Sequence, residues 1–229
     1  MRNRWVPRLL LGVGAAGLLA AIVSISVGTG GPKVIKINGA DTVQELLGGI
    51  QEDGASLGPP NAPVTIGVFT DLQCSTCDTY ELGTVDPLIV EYARTGRARL
   101  EFHNYSLGQA ETTKAAYAAT AAGEQDREWQ FVELFFRNQD AAPGHFVSDQ
   151  FLDDIGNTIT DLDLGTWHRD MASPTVKDRV DADAKLAADL GLRVNGSSIV
   201  VDGPGRTKVL QDSPSKDEVD AAVQEVDGP

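Results

Sequence analysis

Two cysteines occur in 229 residues, and they stand two apart, as Cys74-Ser75-Thr76-Cys77. A thiol reacts as its thiolate, so the chemistry open to such a pair depends on what lowers the first thiol's pKa. Residues 64–69 form an apolar, β-branched run that reads as a buried strand. Downstream, Tyr80, Val85, Leu88, Ile89 and Tyr92 recur at roughly helical spacing, with Pro87 set to kink that helix. A strand feeding a CxxC at a helix start turns unpaired N–H groups and the positive end of the helix dipole toward the first sulfur. Cys74 is therefore the candidate nucleophile, and Cys77, one turn on, is placed to resolve a mixed disulfide. Ser75 and Thr76 can add hydroxyl donors to the thiolate.

Other uses of two cysteines fit less well. A structural zinc site draws on four ligands, whereas there is no second CxxC and His103, His145 and His168 are scattered. A permanent CxxC disulfide closes a very short loop and stabilises little. Redox exchange is favoured, with no resident metal and no cofactor assigned. His103 reads as an ordinary, partly buried histidine of a strand.

The elements that must position this pair begin with a targeting segment. Arg2, Arg4 and Arg8 precede 9–27, a run of nineteen residues without a charge, long enough to cross a bilayer once with the arginines left in the cytoplasm. An uncleaved single-pass membrane anchor is favoured, and secretion after cleavage near Ser24-Ile25-Ser26 is the alternative. Either way the remainder is exported, into surroundings where disulfides form and persist. Without 1–28 the formal charge moves from −14 to −17, because three arginines and no acid are lost. So acidic a surface repels phosphate backbones, which excludes nucleic acid as a partner.

Residues 29–56 read as a linker and extension, with a weak edge strand at 33–37 and a short helix at 41–51 capped by Asp41, carrying Leu46, Leu47 and Ile50 on its apolar side. Residues 57–107 hold the strand at 64–69, the CxxC helix and a strand at 97–103, a β-α-β unit with the thiols at its carboxyl edge. The stretch 108–190 is helical: an alanine-rich helix at 110–122, one at 128–138 with Phe131, Leu134 and Phe135 on one face, and others after Ser148, at 164–171 and at 175–190. Residues 191–229 return to strands at 199–201 and 206–210 across Asp202-Gly203-Pro204-Gly205, then a last helix capped by Ser213 with Pro214 at its first position.

In this order, several motifs resemble the DsbA-like branch of the thioredoxin superfamily. They are Leu57-Gly58, Pro60-Asn61-Ala62-Pro63-Val64-Thr65-Ile66, and Phe69-Thr70-Asp71-Leu72-Gln73-Cys74-Ser75-Thr76-Cys77. Ala115-Ala116-Tyr117, Ala121-Ala122-Gly123-Glu124-Gln125, Trp129-Gln130-Phe131 and Leu134-Phe135 match its helical insertion, and the likeness spans roughly 55–226. The fold it implies is α/β, a thioredoxin-like fold with an inserted helical domain, here preceded by a transmembrane helix. The activity it implies is an extracytoplasmic thiol–disulfide oxidoreductase acting on exported protein thiols and disulfides, served by a membrane redox partner. Cys74 would be the attacked sulfur and Cys77 its buried partner.

Two departures carry consequences. The Ser-Thr dipeptide lacks the proline or histidine common between the cysteines. The family's cis-proline loop is replaced by Val194-Asn195-Gly196-Ser197-Ser198-Ile199, which has no proline. A non-proline cis bond costs about 2.5–4 kcal/mol, and Gly196 can redirect the chain without one. The bonds entering Ser197 and Ser198 are therefore expected to be trans, the loop to lie against the cysteines, and the serine hydroxyls to approach the sulfurs as supporting groups. A non-catalytic binding module is the alternative this loop favours; a thiolate metal handler is the other.

Overall fold

The computed structural model describes residues 35–105, 110–139, 147–193 and 196–228. The anchor expected over 9–27 lies outside them, and no helix among the described residues is long and apolar enough to cross a membrane. In chain order the elements are α1 (Ala40–Leu47), β1 (Glu52–Asp53), β2 (Ser56–Leu57), β3 (Val64–Thr70) and α2 (Cys77–Tyr80). The helix then continues through a π-wound stretch (Glu81–Val85), α3 (Asp86–Leu88) and a second π-wound stretch (Ile89–Ala93). There follow β4 (Ala98–Asn104), α4 (Ala110–Gly123), α5 (Glu128–Asn138), α6 (Asp149–Thr158), α7 (Leu164–Met171) and α8 (Pro174–Asp189). The chain closes with β5 (Ser198–Gly203), β6 (Arg206–Leu210) and α9 (Lys216–Asp227).

The six strands form one sheet in the order β1-β2-β4-β3-β5-β6. β3 and β4 are parallel, Val64 opposite Ala98 and Thr70 opposite Asn104, which is the β-α-β unit read from the sequence. β5 runs antiparallel to β3, with Phe69 opposite Ser198. β3 is apolar along almost its whole length because it is central and covered on both faces. β4 alternates buried and half-buried residues. Helices α4 to α8 are inserted between β4 and β5.

Pro87 does not break the CxxC helix. It removes one N–H from the i→i−4 ladder, and the chain winds wider on either side, so that Arg94 N–H reaches Ile89 O at 3.0 Å, five residues back. Phe131, Leu134 and Phe135 are all buried, as their spacing on α5 requires. They do not form a separate core, however: one cluster joins Ile66 and Phe102 of the sheet to Trp129, Phe131 and Trp167 of the insertion. Trp129 makes the join, meeting Phe102 edge-on at 5.8 Å and donating its indole N–H to Ala55 O at 2.8 Å.

Three sequence expectations are corrected. Of the edge strand at 33–37, residues 35–37 are described and lie outside the sheet. The amides of that stretch go to the insertion, Ile35 N–H to Asp154 Oδ2 at 2.6 Å and Asn38 N–H to Asn138 Oδ1 at 2.8 Å, and the β1–β2 hairpin takes the sheet edge. The first helix is capped by Gly39, not Asp41, and ends at Leu47; Gly39 has φ 84, so its backbone sets the entry and Asp41 falls in the first turn. Val43 and Leu47 form its buried side, while Leu46 and Ile50 are only partly covered. The last helix is capped by Ser215, whose Oγ accepts from Glu218 N–H while the Glu218 carboxylate accepts from Ser215 N–H. This reciprocal capping box outcompetes a start at Ser213, which has φ 56 and serves a different loop.

Candidate active site

Cys74 and Cys77 are joined as a disulfide with their Cα atoms 5.3 Å apart. The pair sits at the carboxyl edge of β3, where strand residue Thr70 passes into a tight turn. Asp71 shapes that turn twice: its Oδ1 accepts from Gln73 N–H at 2.8 Å and its carbonyl accepts from Cys74 N–H at 2.9 Å. Cys77 N–H then donates to Cys74 O at 3.2 Å and the helix begins at Cys77. Cys74 is half-buried whereas Cys77 is 1% exposed, so only the first sulfur is open to a large partner.

Thr76 occupies the cap position of the helix, but its side chain does not cap. Its hydroxyl lies 3.6 Å from Cys74 Sγ instead, the contact expected of a donor to that sulfur. Ser75 is exposed, and among the described residues its hydroxyl has no such contact. Two amide hydrogens from the insertion close the site from behind. Gln139, just past α5, donates its side-chain Nε2 to Leu72 O at 2.9 Å and to Cys74 O at 3.0 Å.

The proline-free loop enters beside Thr70. Gly196 has φ 91, and the peptide bonds entering Ser197 and Ser198 are both trans, as expected. Among the described residues neither serine hydroxyl is hydrogen-bonded to a sulfur. Ser197 Oγ is bonded to Thr70 Oγ1 at 2.9 Å, and Ser198 Oγ is buried with no hydrogen-bond partner among the described residues. The reason is register: Ser198 is already paired with Phe69 inside the sheet, so Ser197 meets Thr70, ahead of the turn that carries Cys74.

Between the CxxC helix, which carries Glu81 and Asp86, and α5, which carries Glu133 and Arg137, lies a group of ionisable side chains that the sequence did not announce. Glu81, one turn after Cys77, is fully buried, and neither carboxylate oxygen has a hydrogen-bond partner among the described residues. Burial first, then the neighbouring Glu133 and Asp86, hold its carboxyl well above the usual range against the opposing charge of Arg137. Arg137 pairs with Asp86 at 2.6 Å and with Glu133. His103 is partly buried, as read: it stacks on Phe69 at 4.2 Å and bonds Asp183 Oδ1 at 2.7 Å. No cluster of three or more histidine, cysteine or acidic side chains able to hold a metal occurs among the described residues.

A family model described as thioredoxin matches residues 51–222. The chain belongs to the thioredoxin family. It is similar to a probable disulfide bond formation protein D of Bacillus cereus, 28% identical over 152 residues, which are 65% of this chain and 69% of the relative. The disulfide bond formation protein D of Bacillus subtilis is 23% identical over 170 residues, 73% of this chain and 74% of its own. Among solved structures, oxidised BdbD from Bacillus subtilis superposes with a TM-score of 0.65 at 21% identity, over 75% of this chain and 91% of that one. The DsbA1 protein of Wolbachia pipientis gives 0.63 at 17%, over 75% and 89%. The helical insertion between β4 and β5 is thus the DsbA-type form of the thioredoxin fold.

Gln139 is a residue a sequence reading passes over, and Ser213 is one it takes for a helix cap. Each acts through a side-chain hydrogen bond to backbone more than a dozen residues away, and neither stands in a pattern with a period.

Proposed function

We propose that this chain exchanges disulfides with exported protein thiols outside the cytoplasm, tethered by residues 9–27 and reset by a membrane redox partner. It is an enzyme, a protein thiol–disulfide oxidoreductase of the DsbA-like type. The observation that carries the reading is the asymmetry of the bonded pair: a half-exposed Cys74 sulfur at a helix start, tied to a Cys77 sulfur closed off from solvent. A client thiolate attacks Cys74 Sγ, the more exposed of the two sulfurs, the Cys74–Cys77 bond breaks, and Cys77 leaves as a thiolate that takes up a proton. A second client thiolate then attacks the client sulfur of the mixed disulfide and releases Cys74 as a thiolate. The client loses two electrons and the cysteine pair gains them; a disulfide of the membrane partner accepts them in turn. Thr76 Oγ, 3.6 Å from Cys74 Sγ, supports the thiolate when it forms.

The experiment is a pair of assays on the purified chain, oxidation of a reduced unfolded client and reduction of insulin, each with wild type and Cys74→Ser. Turnover in either direction that vanishes with Cys74→Ser is expected; a wild-type chain inert in both would leave a binding module in its place. Protease treatment of intact cells addresses the tether: the redox domain should be clipped from outside while remaining in the membrane fraction before treatment.

A further inference from the structure

We propose that Gln139 is a positioning residue of the thiol site, holding the CxxC turn from the insertion and stabilising the Cys74 thiolate in the reduced chain. This rests on the redox reading above and adds to it a residue that lies 65 positions from Cys74. A glutamine amide has two N–H hydrogens. Both are used here on one turn, at 2.9 Å to Leu72 O and 3.0 Å to Cys74 O, so a single side chain bridges the carbonyls on either side of Gln73. Gln139 is itself buried, 9% exposed, where water cannot substitute for those bonds.

The electrostatics follow from the direction of the dipoles. A carbonyl oxygen is the negative end of its peptide, and one close to a sulfur opposes a negative charge there. An N–H donated to that oxygen offsets part of its field, favouring the charged thiolate over the thiol. The same two bonds fix the turn whose next residues, Ser75 and Thr76, lead into the helix start, so they keep the dipole of that start and the Thr76 hydroxyl in place beside Cys74 Sγ. Because the thiolate exists only in the reduced chain, whatever stabilises it stabilises the reduced form and makes the disulfide a stronger oxidant. The fixed turn is thus held by the helical insertion: Asn138, next to Gln139, is buried and tied to Asn38 O at 2.9 Å, so the clamp is anchored by the residue before it.

The test uses the full-length chain and Gln139→Met, which keeps the length and flexibility of the side chain and removes both donors. The pH midpoint of Cys74 alkylation in the reduced protein should rise by about half to one unit. The equilibrium with reduced and oxidised glutathione should shift about three- to tenfold toward the chain's own disulfide, the scale of one hydrogen bond's net worth. Gln139→Ala also removes both donors, with a smaller side chain, and should move both readings in the same direction; it carries the test alone should the methionine variant fail to fold. Unchanged midpoint and equilibrium with a lowered denaturation midpoint would make Gln139 a purely structural residue and overturn the inference. A wild-type chain that does not exchange with glutathione would instead defeat the redox reading, since the alkylation midpoint still reports on Gln139 by itself.

Discussion

Ser213 holds Ser197 on both sides of its peptide: Ser213 N–H donates to Ser197 O at 2.8 Å, and Ser197 N–H donates to Ser213 Oγ at 3.2 Å. This clip fixes the proline-free loop, and it accounts for Ser213 adopting φ 56 instead of opening the last helix. It also dictates Gly196. A Cβ built there would stand 2.4 Å from Ser213 Oγ, and its φ of 91 is strained for any residue with a side chain.

Gly196→Ala is therefore expected to destabilise the fold by about 1–3 kcal/mol, the cost of a strained left-handed residue and a broken clip. Ser213→Ala, which removes the hydroxyl but leaves φ at Gly196 unchanged, should cost less. Urea denaturation compares the two; a Gly196→Ala variant as stable as wild type would show that the loop moves freely and that the clip holds nothing.

The order of the thiols gives a second expectation. With Cys77→Ser, mixed disulfides with a client should accumulate through Cys74, because the resolving sulfur is gone. With Cys74→Ser they should not, since Cys77 is closed off at 1% exposure. Mass mapping of trapped adducts decides this, and faster alkylation of Cys77 than of Cys74 near neutral pH would reverse the assignment.

Much of this site is legible in the chain itself. The CxxC, the apolar run of β3 and the face shared by Phe131, Leu134 and Phe135 are local patterns, and α5, α7 and β6 fall where their periodicity puts them. What stays hidden is long-range and polar. Gln139 looks like any glutamine at the end of a helix, and only the fold brings it against Leu72 and Cys74. Ser213-Pro214 reads as a helix start because serine followed by proline is one locally. The capping box of Ser215 and Glu218, two residues on, prevails because it satisfies two amides where the other start satisfies fewer. The true place of the serine hydroxyls depends on the register between β3 and β5, which no single-strand pattern contains.

Phe131 tests the unity of the core. It is fully buried, 5.8 Å from the Trp167 ring and 6.5 Å from that of Phe135. Phe131→Ala should cost about 3–5 kcal/mol. Because the cluster runs from the insertion into the sheet, far-UV and near-UV transitions should remain coincident in the variant. Two separate transitions would mean that the insertion has a core of its own.

The buried carboxyls make stability fall as pH rises, opposite to the trend set by carboxylates in ordinary ion pairs. Glu52 is pushed up to about 8 by burial, against the N–H it accepts from Trp129. Glu128 is pushed up to about 7, again by burial first, with Arg179 opposing. In the unfolded chain both would titrate near the ordinary glutamate value of 4.5. Between about 4.5 and 7–8 the folded state therefore binds more protons than the unfolded one, and the slope of unfolding free energy with pH is negative. The contribution is fully present below the unfolded value and is lost as pH passes the folded ones. The lowered acids Glu91, Asp163 and Glu218 act in the opposite sense, but in the acid range below 4.5 for the glutamates and 3.8 for the aspartate. Unfolding free energies from urea titrations, and the midpoints with them, should thus fall between about pH 5.5 and about pH 8, by several kcal/mol at most. Glu128→Gln should flatten that slope, while Arg179 keeps its second partner Glu124 at 3.0 Å. A midpoint that climbs over this range, or a slope indifferent to Glu128→Gln, would place the protons elsewhere.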